Sequence, residues 1–227
     1  MDELISGQSK TTPVNIQVDP TSTATIPFSS GTTGLSKGVV LSHRNLVSNV
    51  LQLYAPETKY FQSDTTLLVP LPFFHIYGLV LGLLTSARHT AKTVFMPAFD
   101  LPKFLELAQS HKVTRTYIVP PIILALAKHP LVDSYDLSSL KVIISGAAPL
   151  GGDVQEACAK RLNCIVKQAW GMTELSPGGA ITPDELVTSP DSCKVYPMKL
   201  LITLISFHSR ELLDYWSPIL RLSLSTL

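Results

Sequence analysis

The segment VIISGAAPLGGDVQEACAKRLNCIVKQ, residues 142–168, has the pattern of a strand, a helix and a second strand. Short apolar runs at 142–145 and 164–168 predict the two strands, and the longer run 151–162 between them predicts the helix. The helical residues expected to face inward are Val154, Ala157 and Cys158. Two strands joined through a helix form a βαβ unit, so this segment indicates a mainly parallel sheet.

The same alternation of strands and helices continues upstream. Further strands are predicted at 66–71, 93–96 and 116–119, and further helices at 43–54, 75–87, from 101 onward and at 122–128. Ser42 and Asp100 are expected to cap two of these helices. The expected fold class is therefore α/β, with a mainly parallel sheet flanked by helices. Ligands of such folds bind beyond the carboxyl ends of the strands, which directs attention to the loops 145–149 and 168–174.

The composition argues against several classes of partner. The 227 residues carry a net charge of +1, with 15 % charged and 45 % apolar residues. Nothing in this balance points to nucleic acid. The longest apolar run, 76–84, is too short to cross a bilayer, so no membrane span is expected. The three cysteines, Cys158, Cys164 and Cys193, lack the spacing of a zinc site.

A glycine-rich segment, SSGTTGLSKG at 29–38, is typical of a loop that binds a polyphosphate. Glycines allow backbone N–H groups to approach anionic oxygens, hydroxyls donate further hydrogen bonds, and a lysine adds positive charge. The candidate phosphate-binding residues are Ser29, Ser30, Gly31, Thr32, Thr33, Gly34 and Lys37. The segment is not a Walker A loop, because Ser36 and Gly38 stand where that motif needs Gly and Ser or Thr. A flexible linker is the alternative interpretation.

Five motifs in order resemble the adenylate-forming, AMP-binding enzymes, which include acyl-CoA synthetases, 4-coumarate–CoA ligases and beetle luciferases. They are FSSGTTGLSKGVVLSHRN at 28–45, PLPFFHIYGL at 70–79, FDLPKFLELAQSHKVTRTYIVPP at 99–121, SGAAPL at 145–150 and WGMTE at 170–174. The resemblance covers roughly residues 15–180 and is greatest to the 4-coumarate–CoA ligase and luciferase-like branch. It implies part of the large domain of the adenylate-forming fold.

The resemblance assigns roles around the substrate carboxylate. It implies that His75 lines the carboxylate pocket and that Tyr77 contacts the acyl group, whereas on the residues alone a buried core histidine is the favoured interpretation of His75. It implies further that Gly146, Ala147 and Ala148 border both the adenine and the acyl pocket. Their small side chains suit a planar base, although an ordinary turn from strand to helix has the same composition.

The resemblance also assigns the segment 168–174 to the nucleotide. Gln168, Ala169, Trp170 and Gly171 are implied to surround adenine, with Trp170 packing against the base. Thr173 is implied to bond the α-phosphate and Glu174 to help hold Mg²⁺, an ion that prefers hard oxygen ligands. The catalytic residues expected on this basis are Lys37, His75, Thr173 and Glu174. A helix N-terminus capped by Thr173 is the alternative interpretation of the same residues.

The reaction implied by the resemblance consumes ATP, a carboxylic acid and coenzyme A, and forms a thioester through an acyl-adenylate. Three parts of the family pattern have no match here, namely the ribose-binding aspartate, the hinge arginine and the C-terminal lid domain with its lysine. Ala98 stands where relatives carry a basic residue thought to meet coenzyme A. We therefore expect a partial AMP-binding domain at 1–183, an irregular tail at 184–227 and impaired activity.

Other interpretations of the chain remain open at this point. It could be a non-catalytic nucleotide-binding remnant or splice product, or a product prone to misfolding. The final Ser225-Thr226-Leu227 is similar to a peroxisomal address, although Thr226 lacks the usual positive charge. The expected compartment is therefore cytoplasmic or peroxisomal.

Overall fold

The structure is a computed structural model that describes residues 16–29, 34–54, 61–62 and 64–182 of the chain. Predictions that concern residues 1–15 and 183–227, including Cys193 and the tail, lie outside the described residues. So do those for Ser30, Gly31, Thr32 and Thr33.

The described part of the chain contains ten strands in three sheets. The strands are β1 (Thr23–Thr25), β2 (Phe28–Ser29), β3 (Lys37–Gly38), β4 (Leu41–Ser42), β5 (Thr66–Val69), β6 (Lys92–Phe95), β7 (Arg115–Ile118), β8 (Val142–Ser145), β9 (Ile165–Gly171) and β10 (Gly178–Ile181). The largest sheet has the order β10-β9-β8-β7-β5-β6 and is parallel except for the antiparallel pair of β9 and β10. The predicted α/β class with a mainly parallel sheet is confirmed.

Helices connect the parallel strands and flank the large sheet. They are α1 (His43–Tyr54), α2 (Thr85–Arg88), α3 (Leu101–Ser110), α4 (Pro120–Lys128) and α5 (Gly152–Leu162), with 3-10 turns at Pro130–Ser134 and Thr173–Leu175. A π-helical segment, Gly78–Leu84, leads directly into α2. An uninterrupted helix was expected over 75–87. The wider turn arises because the Thr85 N–H donates to the carbonyl of Val80, five residues back, which also accepts from the Thr85 hydroxyl at 2.9 Å.

Both predicted N-caps are confirmed. The Asp100 carboxylate accepts a hydrogen bond from the Lys103 N–H at 2.9 Å, at the start of α3. At the start of α1 the Ser42 hydroxyl accepts from the Asn45 N–H at 3.2 Å, and the Asn45 side-chain oxygen accepts in return from the Ser42 N–H at 3.0 Å. This is a reciprocal capping box in which asparagine replaces the usual Glu or Gln.

The core forms two layers, one on each face of the large sheet, because successive strand residues point to opposite faces. Leu68, Ile118, Ile143 and Val166 face the layer covered by α3, α4 and α5. Leu67, Val69, Tyr117, Val142 and Ile144 face the layer covered by α1 and the π-helical segment.

The buried face of α5 differs from the prediction. Cys158 is buried and Val154 is half-buried, as the sequence suggested, but Ala157 is exposed. The buried face contains Gln155, Cys158 and Ala159 instead. Gln155 is held inside because its side-chain N–H₂ donates to the Val166 carbonyl at 2.7 Å, so a polar residue occupies a place that the apolar pattern assigned elsewhere.

Candidate functional site

The candidate site lies at the edge of the large sheet where the parallel strands β5, β7, β8 and β9 have their carboxyl ends. The segments that follow these strands carry His75 and Tyr77, the loop Gly146–Ala147–Ala148, and the turn with Thr173 and Glu174. Parallel strands present their carboxyl ends at one edge of a sheet, so the motifs spread over 100 residues of sequence meet there.

Strand β9 is longer than the sequence predicted and changes the status of three candidate residues. Gln168 lies in the strand, as predicted for 164–168, and Ala169, Trp170 and Gly171 also belong to the strand and not to a loop. The pairing of β9 with β8 ends at Ser145 and Gln168, whereas β10 pairs with β9 through Gly171. The last three residues of β9 therefore extend past the end of β8, and β10 is the strand that pairs with them among those that the structure describes.

The strands at the two ends of the glycine-rich segment, β2 and β3, form an antiparallel pair next to the turn that follows β9, and this pair is called the glycine-rich hairpin below. Strands β2 and β3 pair Ser29 with Lys37 and Phe28 with Gly38, and β2 contacts the 3-10 turn Thr173–Leu175. Lys37 is exposed, and Gly34 adopts a φ of 87°, a conformation that side-chain-bearing residues rarely adopt. The pairing thus places Ser29, at the end of β2, beside the turn that carries Thr173 and Glu174.

His75 is exposed at the start of the segment that enters the π-helix, so it is not a core histidine. Its Nδ1 accepts a hydrogen bond from the Tyr77 N–H at 3.1 Å. A neutral imidazole whose Nδ1 accepts carries its proton on Nε2, so Nε2–H is the atom that can donate to a ligand.

Tyr77 is buried beneath the loop that follows β8. Its hydroxyl lies 3.3 Å from the Ile118 carbonyl and 3.2 Å from the Ile144 carbonyl, the two acceptors at the ends of β7 and β8. A Cβ atom placed on Gly146 would lie 2.9 Å from Cζ of the Tyr77 ring, so any larger residue at 146 would displace the ring or the loop. The tyrosine therefore joins two strand ends and supports the loop above them.

The loop after β8 is held by the side chain of Gln168. The Gln168 side-chain N–H₂ donates to the Leu150 carbonyl at 3.2 Å and to the Gln155 side-chain oxygen at 2.7 Å. Ala147 and Ala148 are exposed, and Ala147 has a φ of 70°. The Gln168 amide therefore fixes this loop, and its contact with the nucleotide stays a prediction.

The segment Trp170–Glu174 combines an exposed aromatic ring with a tight turn. Trp170 is 44 % exposed, and a Cβ atom on Gly179 would lie 2.5 Å from the indole, so the ring lies across β10 at Gly179. Thr173 is buried and Glu174 is exposed on a 3-10 turn of only three residues, so the alternative of a helix capped by Thr173 is not what forms.

Glu174 offers oxygen ligands to a metal ion but does not form a complete metal site with other side chains. Within the described ranges, no group of three His, Cys, Asp or Glu side chains is placed to hold a metal. An exposed carboxylate beside the glycine-rich hairpin fits an ion such as Mg²⁺ that takes most of its ligands from phosphates and water.

Asn49 is a buried polar residue at this site that the sequence analysis missed. It is 1 % exposed on α1, and its side chain bonds both backbone groups of Gly178 at the start of β10. The signal was present in the sequence, because Asn49 lies among Leu46, Val50 and Leu53 on the inward side of an amphipathic helix. Its partner could not be read from the sequence, because it lies 129 residues away.

A mostly parallel sheet with a glycine-rich hairpin and polar turns at its carboxyl edge defines an α/β ligand-binding protein. The family model of the AMP-binding enzymes matches residues 2–201. The chain belongs to this family.

Comparisons with three individual proteins agree with this family assignment. The chain is 44 % identical over 202 residues to "Probable 4-coumarate–CoA ligase 1" of Dictyostelium discoideum, covering 88 % of this chain and 36 % of that protein. It is 47 % identical over 178 residues to 4-coumarate–CoA ligase 1 of Solanum tuberosum, covering 77 % of this chain and 32 % of that protein. The crystal structure of ATP-bound MatB from Rhodopseudomonas palustris superposes with a TM-score of 0.65 at 31 % identity, covering 74 % of this chain and 32 % of the MatB chain.

The chain thus spans about a third of the length of the curated relatives that it matches. None of the helices in the part of the chain that the structure describes is long and apolar enough to cross a membrane.

Proposed function

We propose that the chain carries the nucleotide-binding and acid-activating part of an AMP-forming acid–CoA ligase. The observation that supports this most directly is the contact of the glycine-rich hairpin with the Thr173–Leu175 turn, at the same sheet edge as His75 and the loop of Gly146. A reaction between a triphosphate and a carboxylate would require the groups that bind each of them to lie at one place. The ATP-bound MatB neighbour and the 4-coumarate–CoA ligase relatives are consistent with this chemistry.

In this proposal the nucleotide is held from two sides. Ser29, Gly34 and Lys37, with the loop residues 30–33, would bind the β- and γ-phosphates. Thr173 would bond the α-phosphate, and the exposed ring of Trp170 would pack against adenine. Mg²⁺ held by Glu174 and the phosphates would neutralise charge on the triphosphate. Pre-positioned donors of this kind lower the barrier without covalent chemistry by the protein.

The first reaction step joins the acid to the α-phosphorus. A carboxylate oxygen forms a bond to phosphorus, and the bond from phosphorus to the bridging oxygen breaks, so that its electron pair leaves with pyrophosphate. His75 Nε2–H would donate a hydrogen bond to the reacting carboxylate, which orients it without adding net charge. Ala147 and the ring of Tyr77 would border the acyl group. In the second step the thiolate of coenzyme A would displace AMP from the acyl-adenylate.

The proposal is tested by carboxylate-dependent exchange of labelled pyrophosphate into ATP, with a panel of aromatic and fatty acids. We expect exchange above background, and Lys37→Ala should reduce it by about tenfold or more because a phosphate contact is lost. Lys128→Ala, at the exposed end of α4, is the matched control and should leave exchange unchanged. ATP binding without exchange would instead assign the chain a nucleotide-binding role and would overturn the ligase proposal for it.

A further inference from the structure

The two parts of the candidate site that would hold ATP come from segments far apart in sequence. The glycine-rich hairpin leads through β4 into α1, whereas the Thr173–Leu175 turn leads through Pro177 into β10. Their separation therefore depends on how α1 is fixed against β10, and these two elements are in direct contact.

Asn49 supplies a two-point connection between them. Its Nδ2 donates to the Gly178 carbonyl at 2.8 Å, and its Oδ1 accepts from the Gly178 N–H at 3.0 Å. The second Nδ2 proton reaches the Gln52 side-chain oxygen at 3.3 Å. These three partners allow only one orientation of the amide, since rotating it by 180° would place donor against donor and acceptor against acceptor.

The backbone at Gly178 needs such a partner because the strand pairing is irregular there. Gly178 is opposite Gly171 and Ala180 is opposite Trp170, so Gly179 is an extra residue that interrupts the ladder between β9 and β10. Leu53, one turn after Asn49 on α1, packs against Gly178 so closely that a Cβ atom there would lie 2.5 Å from its side chain. Helix α1 therefore holds the residue after the turn by both packing and hydrogen bonds.

We propose that Asn49 is a positioning residue that sets the distance between the glycine-rich hairpin and the turn with Thr173 and Glu174. This inference rests on the proposed function of the site. Asn49 does not touch the nucleotide. It acts through Gly178, and its effect falls on ligands that must contact the hairpin and the turn at the same time. ATP is such a ligand, whereas AMP would need only the turn and the adenine contacts.

The test compares the affinities of Mg·ATP and AMP for the full chain by isothermal titration calorimetry. In Asn49→Ala we expect ATP to bind about tenfold more weakly, corresponding to about 1.4 kcal/mol, with AMP affinity changed less than about twofold. Val50→Ala, at the neighbouring buried position of α1, is the matched control and should leave the ratio of the two affinities unchanged.

A second variant addresses the possibility that Asn49→Ala does not fold. Asn49→Ser adds no buried charge and leaves one hydroxyl in place of the amide, so it can bond at most part of the Gly178 backbone pair, and we expect an intermediate loss in the ATP-to-AMP ratio. Equal weakening of ATP and AMP in either variant would overturn the positioning role and leave the proposed function intact. Failure of the unaltered chain to bind either nucleotide would overturn the proposed function itself, and the positioning role with it.

Discussion

At the scale of single residues, several side chains with a proposed role toward ligands are first of all fixed by their own backbone partners. The Gln168 amide holds the loop at Leu150, the Tyr77 hydroxyl lies between two strand-end carbonyls, and His75 Nδ1 accepts from the Tyr77 N–H. Such contacts orient a site before a ligand arrives, which is what catalysis by positioning requires. His75 Nε2, the exposed part of the Trp170 ring and the Glu174 carboxylate are among the atoms that remain for a ligand.

Replacing Tyr77 by Phe separates the structural role of its hydroxyl from a role in substrate binding. We expect Tyr77→Phe to lower the free energy of unfolding by about 1 kcal/mol, because a buried hydrogen bond is lost while the ring remains. Pyrophosphate exchange should keep its dependence on acid concentration. Urea unfolding followed by circular dichroism measures the first quantity. A raised KM for the acid with unchanged stability would show that the hydroxyl contacts substrate instead.

At the scale of helices and strands, the caps and the alternation of apolar runs were readable from the sequence because they depend on neighbours a few residues apart. Ser42 and Asp100 cap helices as expected, and every strand predicted in the large sheet is present. The π-helical turn, the extension of β9 to Gly171 and the buried Gln155 were not predicted. The extension of β9 depends on β10, and the burial of Gln155 depends on the Val166 carbonyl, partners that only the folded chain supplies. The π-helical turn depends instead on the bonds of Thr85 to the Val80 carbonyl, five residues back.

Dependence on partners distant in sequence also restricted what could be predicted about the candidate site. The motifs identified which segments carry its residues, because short glycine-rich and hydroxyl-rich patterns are local. They did not indicate that the Gln168 side chain would donate hydrogen bonds to Leu150 and Gln155, nor that the Asn49 side chain would form hydrogen bonds with Gly178. Long-range hydrogen bonds of buried polar side chains leave no periodic trace in a sequence.

Removing the cap of α1 tests how much this helix depends on its first turn. Ser42→Ala removes the hydroxyl that accepts from the Asn45 N–H and donates to the Asn45 side-chain oxygen, while the backbone N–H at position 42 can still donate to Asn45, so we expect the free energy of unfolding to fall by about 1 kcal/mol. Ser48→Ala, in the interior of the same helix, should cause no loss, since alanine is the better helix former. Chemical unfolding of both variants provides the comparison. Equal stability of Ser42→Ala and the unaltered chain would show that tertiary packing alone fixes the start of α1.

At the scale of the whole molecule, the site lies at one edge of a sheet whose two faces are both covered. Polar contacts also join segments that connect the strands and helices elsewhere in the fold. Asp136 is the centre of one of these contacts. Its N–H donates to the Gln109 side chain at 2.7 Å, and its carboxylate receives the Ser138 N–H at 3.0 Å and Lys112 Nζ at 3.3 Å. These bonds tie the end of α3 to the segment that precedes β8.

Hydrogen bonds from the Ser138 side chain and backbone, together with Lys112, lower the pKa of Asp136 from 3.8 to about 2. A carboxyl with a lowered pKa in the folded state stabilises the fold above its unfolded pKa and loses this contribution as the pH falls toward the folded pKa. Asp136→Asn should therefore lower the melting temperature at pH 7, and the difference from the unaltered chain should shrink between about pH 4 and pH 2.

Thermal unfolding over this pH range measures the difference. Ser138→Ala removes the largest cause of the lowered pKa and should reproduce part of the effect. A gap between Asp136→Asn and the unaltered chain that stays constant down to the acid limit would refute the assignment.

The bond between Asn49 and Gly178 also constrains the order in which the protein assembles. The two residues are 129 positions apart in the chain, and Gly178 lies on β10, at the edge of the described part of the large sheet. Contacts so distant in sequence form late, because the chain entropy lost on closing the loop must be offset by structure already in place. The nucleotide site should therefore be absent from any partly folded state that lacks β10, and ligand binding should appear together with the last step of folding.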